Sequence, residues 1–175
     1  MRIINQAALW TALLLCLSWI THASPAQANF RGGWVQVEDT SDNFDQTRNV
    51  AVFLPASSKS STLNNETVVL IVRCQRGLTE VSVYWDRLVS VTDRTSAVDS
   101  RVDDGAVRRE TWLSSSNGKG AFHPSPTRFL RSLIASGAQT LALRTFTYGG
   151  MEFSAQFELE GIQNAIAPVR EACGW

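Results

Sequence analysis

Few residues of this 175-residue chain could do catalytic chemistry. His123 is the single histidine after residue 28, and a catalyst of the Ser-His-Asp or Cys-His type needs such a base. A lone histidine between Phe122 and Pro124 is more often structural or exposed than catalytic. Asp103 and Asp104 form a poor acid–base pair, because adjacent residues of an extended segment point to opposite faces. The sequence therefore predicts no catalytic residue.

Metal and nucleotide motifs are not apparent in the sequence either. Asp39, Ser41 and Asn43 are spaced like the first ligands of a calcium loop. However, Phe44 stands where that loop needs glycine, and Val50 stands where it needs a glutamate. No Walker motif and no G-x-G-x-x-G sequence occurs, so nucleotide binding has no support. We predict neither a metal site nor a cofactor.

The first 28 residues have the three-part pattern of a secretory signal. Arg2 gives a positive start, residues 7–20 are uncharged and mainly apolar, and Ala26-Gln27-Ala28 is an A-x-A site. We expect cleavage after Ala28, with a weaker second site at Ala23. The alternative is an uncleaved anchor, but about 20 apolar residues are normally needed to span a bilayer. Residues 29–175 are then one domain without a transmembrane segment.

The three cysteines fall into two groups. Cys16 lies inside the apolar run of the signal, and Leu15 before it is not the small residue that a lipoprotein signal requires. Cys74 and Cys173 remain, and two cysteines in an exported chain most simply form one disulfide. Closing a loop of about 100 residues is worth up to roughly 4 to 5 kcal/mol. The alternative is two free buried thiols.

Composition excludes some partners. Sixteen Lys and Arg residues balance sixteen Asp and Glu residues, and no basic run occurs. Such a chain has no electrostatic attraction for nucleic acid or an anionic membrane. A hydrophobic fraction of 44% with 18% charged residues favours a packed core over disorder.

The elements that must position these residues are mostly strands separated by turn signals. The run Val68–Val72 is continuously apolar, which is typical of a strand buried on both faces. Gln75-Arg76-Gly77 predicts a hairpin turn, and Gly149-Gly150 predicts a two-residue hairpin loop. Strands are predicted at 34–37, 49–54, 67–73, 79–85, 98–102, 106–112, 141–148 and 151–159.

Two helices are predicted towards the end of the chain. Ser125 before Pro126 is a helix-start signal and Gly137 a stop signal, which predicts a helix over 126–136. The tail from 162 to 173 could form a second short helix, broken or bent at Pro168. The fold class is therefore mainly β, an antiparallel sandwich or half-barrel with one or two short helices and one disulfide.

A few charged residues lie at informative positions. Arg73 stands beside Cys74 in the most apolar strand. Arg101 and Asp103 are two apart, so on a strand they would share a face and could pair with each other or with a partner. A structural salt bridge is the more common role for such a pair.

Several sequence elements occur in a recognisable order across most of residues 34–175. They are Asp45-x-x-x-Asn49-Val50, an apolar strand ending in Arg73-Cys74, Arg101-Val102-Asp103, Trp112, Phe157-x-Leu159-x-Gly161, and Cys173 near the end. In this order the chain resembles the VasI/TagO-like family of exported accessory proteins encoded with bacterial type VI secretion systems. The resemblance implies a periplasmic, non-enzymatic protein that contacts an envelope or secretion-machinery protein. Arg73, Arg101, Asp103 and Trp112 are then candidates for structural or partner-binding roles.

Two other functions stay open at this point. The first is a periplasmic small-ligand, cell-wall-binding or inhibitor module that uses the sheet face and aromatic residues such as Trp85, Trp112 and Tyr148. Aromatic residues in strands are more often core than binding groove. The second is a hydrolase that works through His123 or the acidic pair, which ranks last.

Overall fold

The computed structural model describes residues 31–39, 47–60, 63 and 65–175. The predicted signal segment, its cleavage site at Ala28, and Asp45 lie outside the described residues. A 3-10 turn, Arg31–Gly33, precedes the first strand. The strands are β1 (Val35–Asp39), β2 (Asn49–Pro55), β3 (Ser58–Lys59), β4 (Val69–Gln75), β5 (Leu78–Tyr84), β6 (Thr95–Val102), β7 (Arg108–Ser114), β8 (Gly120–Phe122), β9 (Thr140–Phe146) and β10 (Glu152–Glu158). The α-helices are α1 (Pro126–Ser136), α2 (Ile162–Ala165) and α3 (Ala167–Cys173).

The ten described strands form one antiparallel sheet in the order β1-β2-β4-β5-β8-β7-β6-β9-β10-β3. Two residues separate β2 from β3, so the Cα atoms of Pro55 and Ser58 lie within about 11 Å of each other. In a flat sheet the eight strand spacings from β2 to β3 would cover about 38 Å. The sheet must therefore curl until β10 approaches β2. Of the two predicted architectures, the half-barrel is the one that forms.

The short strand β3 brings the two ends of the curled sheet together. The amide of Ser57 donates to the carbonyl of Gln156 and that of Ser60 to the carbonyl of Ser154, both at 2.8 Å. Directly after β2, the Ala56 amide donates to the carbonyl of Val68, the residue before β4, at 2.9 Å. Residues 56–60 thus bridge the mouth of the half-barrel.

On β2, β4, β9 and β10, alternate residues point into the half-barrel and contribute to the core. On β4, Leu70, Val72 and Cys74 are buried, whereas Val69, Ile71 and Arg73 on the opposite face are half-buried. The expectation that this strand is buried on both faces is therefore wrong. An unbroken apolar run does not distinguish a strand covered on both sides from one whose second face is apolar but open. The largest fully buried side chains are Trp34, Trp85, Trp112, Phe153 and Phe157.

The helices cover the inner face of the sheet. Helix α1 packs against β5, and α3 packs against β2, β4 and β5. The bounds of α1 agree with the predicted 126–136, with Gly137 in the left-handed conformation at φ 64° ending the helix. Ser125 occupies the N-cap position without a side-chain cap bond. Its amide instead donates to His123 Nδ1 at 2.9 Å.

The tail forms two helices rather than one. The break lies at Ile166, between α2 and α3, and Pro168 lies in the first turn of α3. A proline is well suited to a first helical turn because the amide that it lacks would have no partner there. The position predicted as a bend is therefore the start of a new helix.

Two hairpins differ in how well their turns were predicted. Arg76 (φ 51°) and Gly77 (φ 73°) form the two-residue turn between β4 and β5, and positive φ at both positions is the geometry of a type I′ turn. The β9–β10 loop has three residues rather than two, because the Thr147 amide bonds to Met151 O at 2.9 Å. Gly150 supplies the left-handed residue of that loop at φ 75°.

Candidate functional site

Arg73 and Cys74 are neighbours on β4, and their side chains point to opposite faces of the sheet. Cys74 points inward and forms a disulfide with Cys173, with 5.7 Å between their Cα atoms. The predicted disulfide is therefore present, and it fixes the end of α3 to a strand. Arg73 points outward, where its guanidinium pairs with Glu80 directly across on β5 and lies 6.0 Å from the centre of the Phe122 ring.

Side chains on the outer face of the sheet form a row that crosses six strands. The strand register aligns them, each opposite the next, from β1 to β7. We call this set the outer row: Val35, Phe53, Ile71, Ser82, Phe122 and Leu113. Five of its six side chains are apolar, and Leu113 is 57% exposed. The sequence did not identify this surface, because it depends on a register that joins strands far apart in the chain.

A second, shorter row runs beside the outer row. The register aligns Val37 on β1, Ala51 on β2, Arg73 on β4 and Glu80 on β5. A shallow groove of about 290 Å³ lies between the two rows and is lined by residues of β1, β2 and β4, including Val37, Ala51, Phe53, Ile71 and Arg73. Over β1, β2, β4 and β5, the outer face therefore combines apolar side chains with the Arg73–Glu80 pair.

Arg101 and Asp103 do not pair with each other. Arg101 is exposed on β6, opposite Ala142 of β9. Asp103 lies in the following turn at φ 49°, and its Oδ1 accepts the Gln139 and Thr140 amides at 2.9 and 2.8 Å. The two hydrogen bonds, of which that from Thr140 has the larger effect, hold the pKa of Asp103 below its usual range. Asp103 thus fixes the β6–β7 turn to the start of β9.

Like Trp85, the candidate residue Trp112 is fully buried. Its ring lies edge-on to His123 and Phe129, with ring centres 4.9 and 6.4 Å away, and its Nε1 donates to Glu110 Oε2 at 3.3 Å. In this conformation Trp112 is a core residue with one polar contact, and it has no surface to offer a partner. Tyr148, by contrast, is 70% exposed in the β9–β10 loop.

His123 is buried between an aromatic ring and a carboxylate. Its ring stacks on Phe129 with 4.4 Å between ring centres. Its Nδ1 accepts the Ser125 amide, so the proton of the neutral ring is on Nε2. Nε2 lies 3.4 Å from Glu110 Oε2. Burial lowers the pKa of His123, against an opposing effect of the Glu110 carboxylate.

A charged cluster on the outer face escaped the sequence-based predictions. Asp99 on β6 accepts two hydrogen bonds from Arg109 of β7, at 2.6 and 2.9 Å, and two from Arg144 of β9, at 2.6 and 3.0 Å. Both guanidinium groups also lie over Phe146, 5.4 and 5.8 Å from its ring centre. The hydrogen bonds from Arg109, which have the larger effect, and from Arg144 lower the pKa of Asp99 to about 2. The charged residues of these strands are visible in the sequence, but their partners follow from the register.

No helix among residues 31–39, 47–60, 63 and 65–175 is long and apolar enough to cross a bilayer. In the same ranges, no three or more His, Cys, Asp or Glu side chains are grouped as metal ligands.

A known protein family matches most of the chain. The family model described as type VI secretion system VasI, EvfG matches residues 20–175. No curated protein and no solved structure matches the chain significantly. Because the family model covers most of the sequence, the chain belongs to the VasI family of type VI secretion system proteins.

Proposed function

We propose that this protein is an exported, periplasmic and non-enzymatic accessory protein of a type VI secretion system. It acts by binding a protein of the secretion machinery through the outer face of its sheet. The observation that carries the proposal is the outer row, in which five of the six aligned side chains are apolar. Leu113 is exposed, Val35, Phe53, Ile71 and Phe122 are half-buried, and Ser82 is buried between its neighbours.

The location is supported by two features. The Cys74–Cys173 disulfide is typical of proteins that fold in an oxidising compartment. The first 28 residues have the signal pattern, which would deliver the chain to such a compartment. Membership of the VasI family supports the pathway.

The chemistry of the outer face supports a protein as the partner. Apolar side chains at the centre of a patch, with polar groups around them, are typical of protein–protein interfaces. Arginine and aromatic residues are enriched among the side chains that contribute most to binding, and here Arg73 lies against Phe122. The open groove is shallow, as expected for contact with a broad surface. The matching partner surface is apolar at its centre.

A charge placed on the outer face tests the proposal. Leu113 and Val37 are 57% and 43% exposed, so a Leu113→Glu, Val37→Glu double variant leaves the core intact. A buried carboxylate without a partner is costly at an interface. Secretion of a type VI substrate into the medium, by a strain lacking the gene and complemented with the variant, should fall to the level of the deletion strain.

The matched control is Leu88→Glu, because Leu88 is 58% exposed but lies outside the strands. It should complement fully. A photoreactive residue at position 113 should cross-link a protein of the secretion machinery, whereas one at position 88 should not. Normal secretion by the double variant, or cross-links to a second copy of this chain alone, would contradict the proposal.

A further inference from the structure

A cleft separates α1 from the β6–β7 hairpin on the inner side of the sheet. Its volume is about 290 Å³, close to the lower limit of small-molecule sites in proteins. One wall is apolar and consists of Phe129 and Leu133 of α1 with Val102 of β6. The polar lining comes mainly from Ser100, Arg108 and Glu110 of the two strands and from hydroxyl groups of α1. The cleft shares no residue with the outer row.

The carboxylate of Glu110 is held in place from behind. Trp112 Nε1 donates to its Oε2 at 3.3 Å, and His123 Nε2 lies 3.4 Å from the same oxygen. Both nitrogen atoms are on buried side chains, although only Trp112 Nε1 forms a hydrogen bond with Glu110, since His123 Nε2 has no hydrogen-bond partner among the described residues. Because the two contacts involve Oε2, the other carboxylate oxygen is left for a donor in the cleft.

Two further polar groups of the cleft have no partner in the described part of the chain. The Arg108 guanidinium forms no ion pair there, although Glu110 is two residues away on the same face of β7. The Ser100 hydroxyl forms no hydrogen bond with a described residue, although Ser100 is only 7% exposed. The Ser100 oxygen is accessible from the cleft rather than enclosed in the core, so a ligand there can form a hydrogen bond with it.

We propose that this cleft binds the zwitterionic head group of an amino acid with an aliphatic side chain, either free or at the end of a short peptide. Glu110 accepts hydrogen bonds from the ammonium group, and Arg108 pairs with the carboxylate. Ser100 offers its hydroxyl to the same carboxylate, while the aliphatic side chain packs on Phe129 and Leu133. An acid and a base on one strand face, unpaired with each other, are complementary to a ligand that carries both charges.

Calorimetry with the purified, disulfide-bonded protein tests the ligand chemistry. The probes are free leucine, N-acetylleucine, which lacks the ammonium group, leucinamide, which lacks the carboxylate, and the dipeptide glycylleucine. Leucine or the dipeptide should bind with a dissociation constant in the millimolar range or below. The compound that binds more tightly shows whether the head group comes from a free amino acid or from a peptide. Each of the blocked compounds should bind at least about tenfold more weakly than leucine.

Matched variants test the residues. Glu110→Gln and Arg108→Gln should each weaken binding at least about tenfold, whereas Arg128→Gln, an exposed arginine of α1 outside the cleft, should not. Circular dichroism establishes that each variant is folded. No heat of binding with either leucine or the dipeptide for the unmodified chain would overturn the inference. The inference would also be overturned if the blocked compounds bound as tightly as leucine, or if both cleft variants bound leucine as tightly as the unmodified chain.

Discussion

Asp99 is the residue whose ionisation matters most to the outer face. It is 4% exposed and its carboxylate is shared by Arg109 and Arg144. Its pKa is lowered from 3.8 to about 2, so folding favours the ionised form. The stabilisation is present above pH 3.8 and is lost as the pH falls through about 2. Since the Arg109 side chain is 63% exposed, solvent screening limits the contribution to about 1–2 kcal/mol.

An Asp99→Asn variant should therefore lower the free energy of unfolding by about 1–2 kcal/mol at neutral pH. As the pH falls through about 2, Asp99 of the unmodified protein becomes protonated, and the difference between the two proteins should shrink. Urea unfolding at several pH values measures both effects. Asp104→Asn, in the exposed turn beyond β6, is the control and should follow the unmodified protein. A constant difference at all pH values would contradict the role of the Asp99 charge.

His123 offers a second test at the residue scale. Burial lowers its pKa below the ordinary 6.5, so the unfolded chain binds the proton more readily than the folded one. The free energy of unfolding should thus fall as the pH drops below 6.5. As His123 is the single histidine after residue 28, its ring protons are easily assigned by NMR in the cleaved protein. A titration midpoint at or above 6.5 in the folded protein would show that burial does not dominate.

At the scale of elements, the disulfide makes the clearest prediction. It closes a loop between residues 99 positions apart, from β4 to the end of α3. Reduction should lower the free energy of unfolding by about 3 kcal/mol, because the open loop has more conformational entropy when unfolded. Urea unfolding with and without reductant measures this. A Cys74→Ser, Cys173→Ser variant should match the reduced protein and be insensitive to reductant. Coinciding curves for the oxidised and reduced protein would contradict the prediction.

Elements were predictable from sequence where local signals decide them. Helix α1 begins at Pro126 and ends before Gly137 as predicted, because a proline start and a glycine stop act within one turn. The predicted start of β6, at 98, was three residues late, since the strand begins at Thr95 and ends at Val102 as predicted. The strand predicted over 106–112 lies two residues further along, at Arg108–Ser114. Their bounds depend on pairing with β9 and β8, which no local pattern contains.

The candidate site was less predictable than the elements. Arg73 was singled out for its place beside Cys74, and it does lie on the outer face. However, the outer row and the Asp99 cluster are assembled across strands, and Trp112 was assigned a possible surface role although it is fully buried. Residue types indicate what a side chain can do, whereas register and curl decide which side chains meet.

At the scale of the whole molecule, export makes a direct prediction. The protein recovered from the periplasm should begin at Asn29, because Ala26-Gln27-Ala28 is the predicted cleavage site. N-terminal sequencing should read Asn-Phe-Arg-Gly-Gly, and the intact mass should lack residues 1–28. An Ala28→Leu variant should retain these residues, since a bulky side chain before the cut disrupts the small-residue site. A periplasmic protein that keeps residues 1–28 would contradict this cleavage.

The bridge across the mouth of the half-barrel has a consequence for how fast the molecule folds. Most neighbouring strands are joined by nearby hairpins, which form in microseconds. The contact of Ser58 with Gln156, in contrast, joins residues at distant points of the chain, and the chain must lose much loop entropy before that contact forms. We expect refolding in which the hairpins are protected from hydrogen exchange first and the β3–β10 amides last. The same bridge should be the first part of the sheet to exchange in the native state.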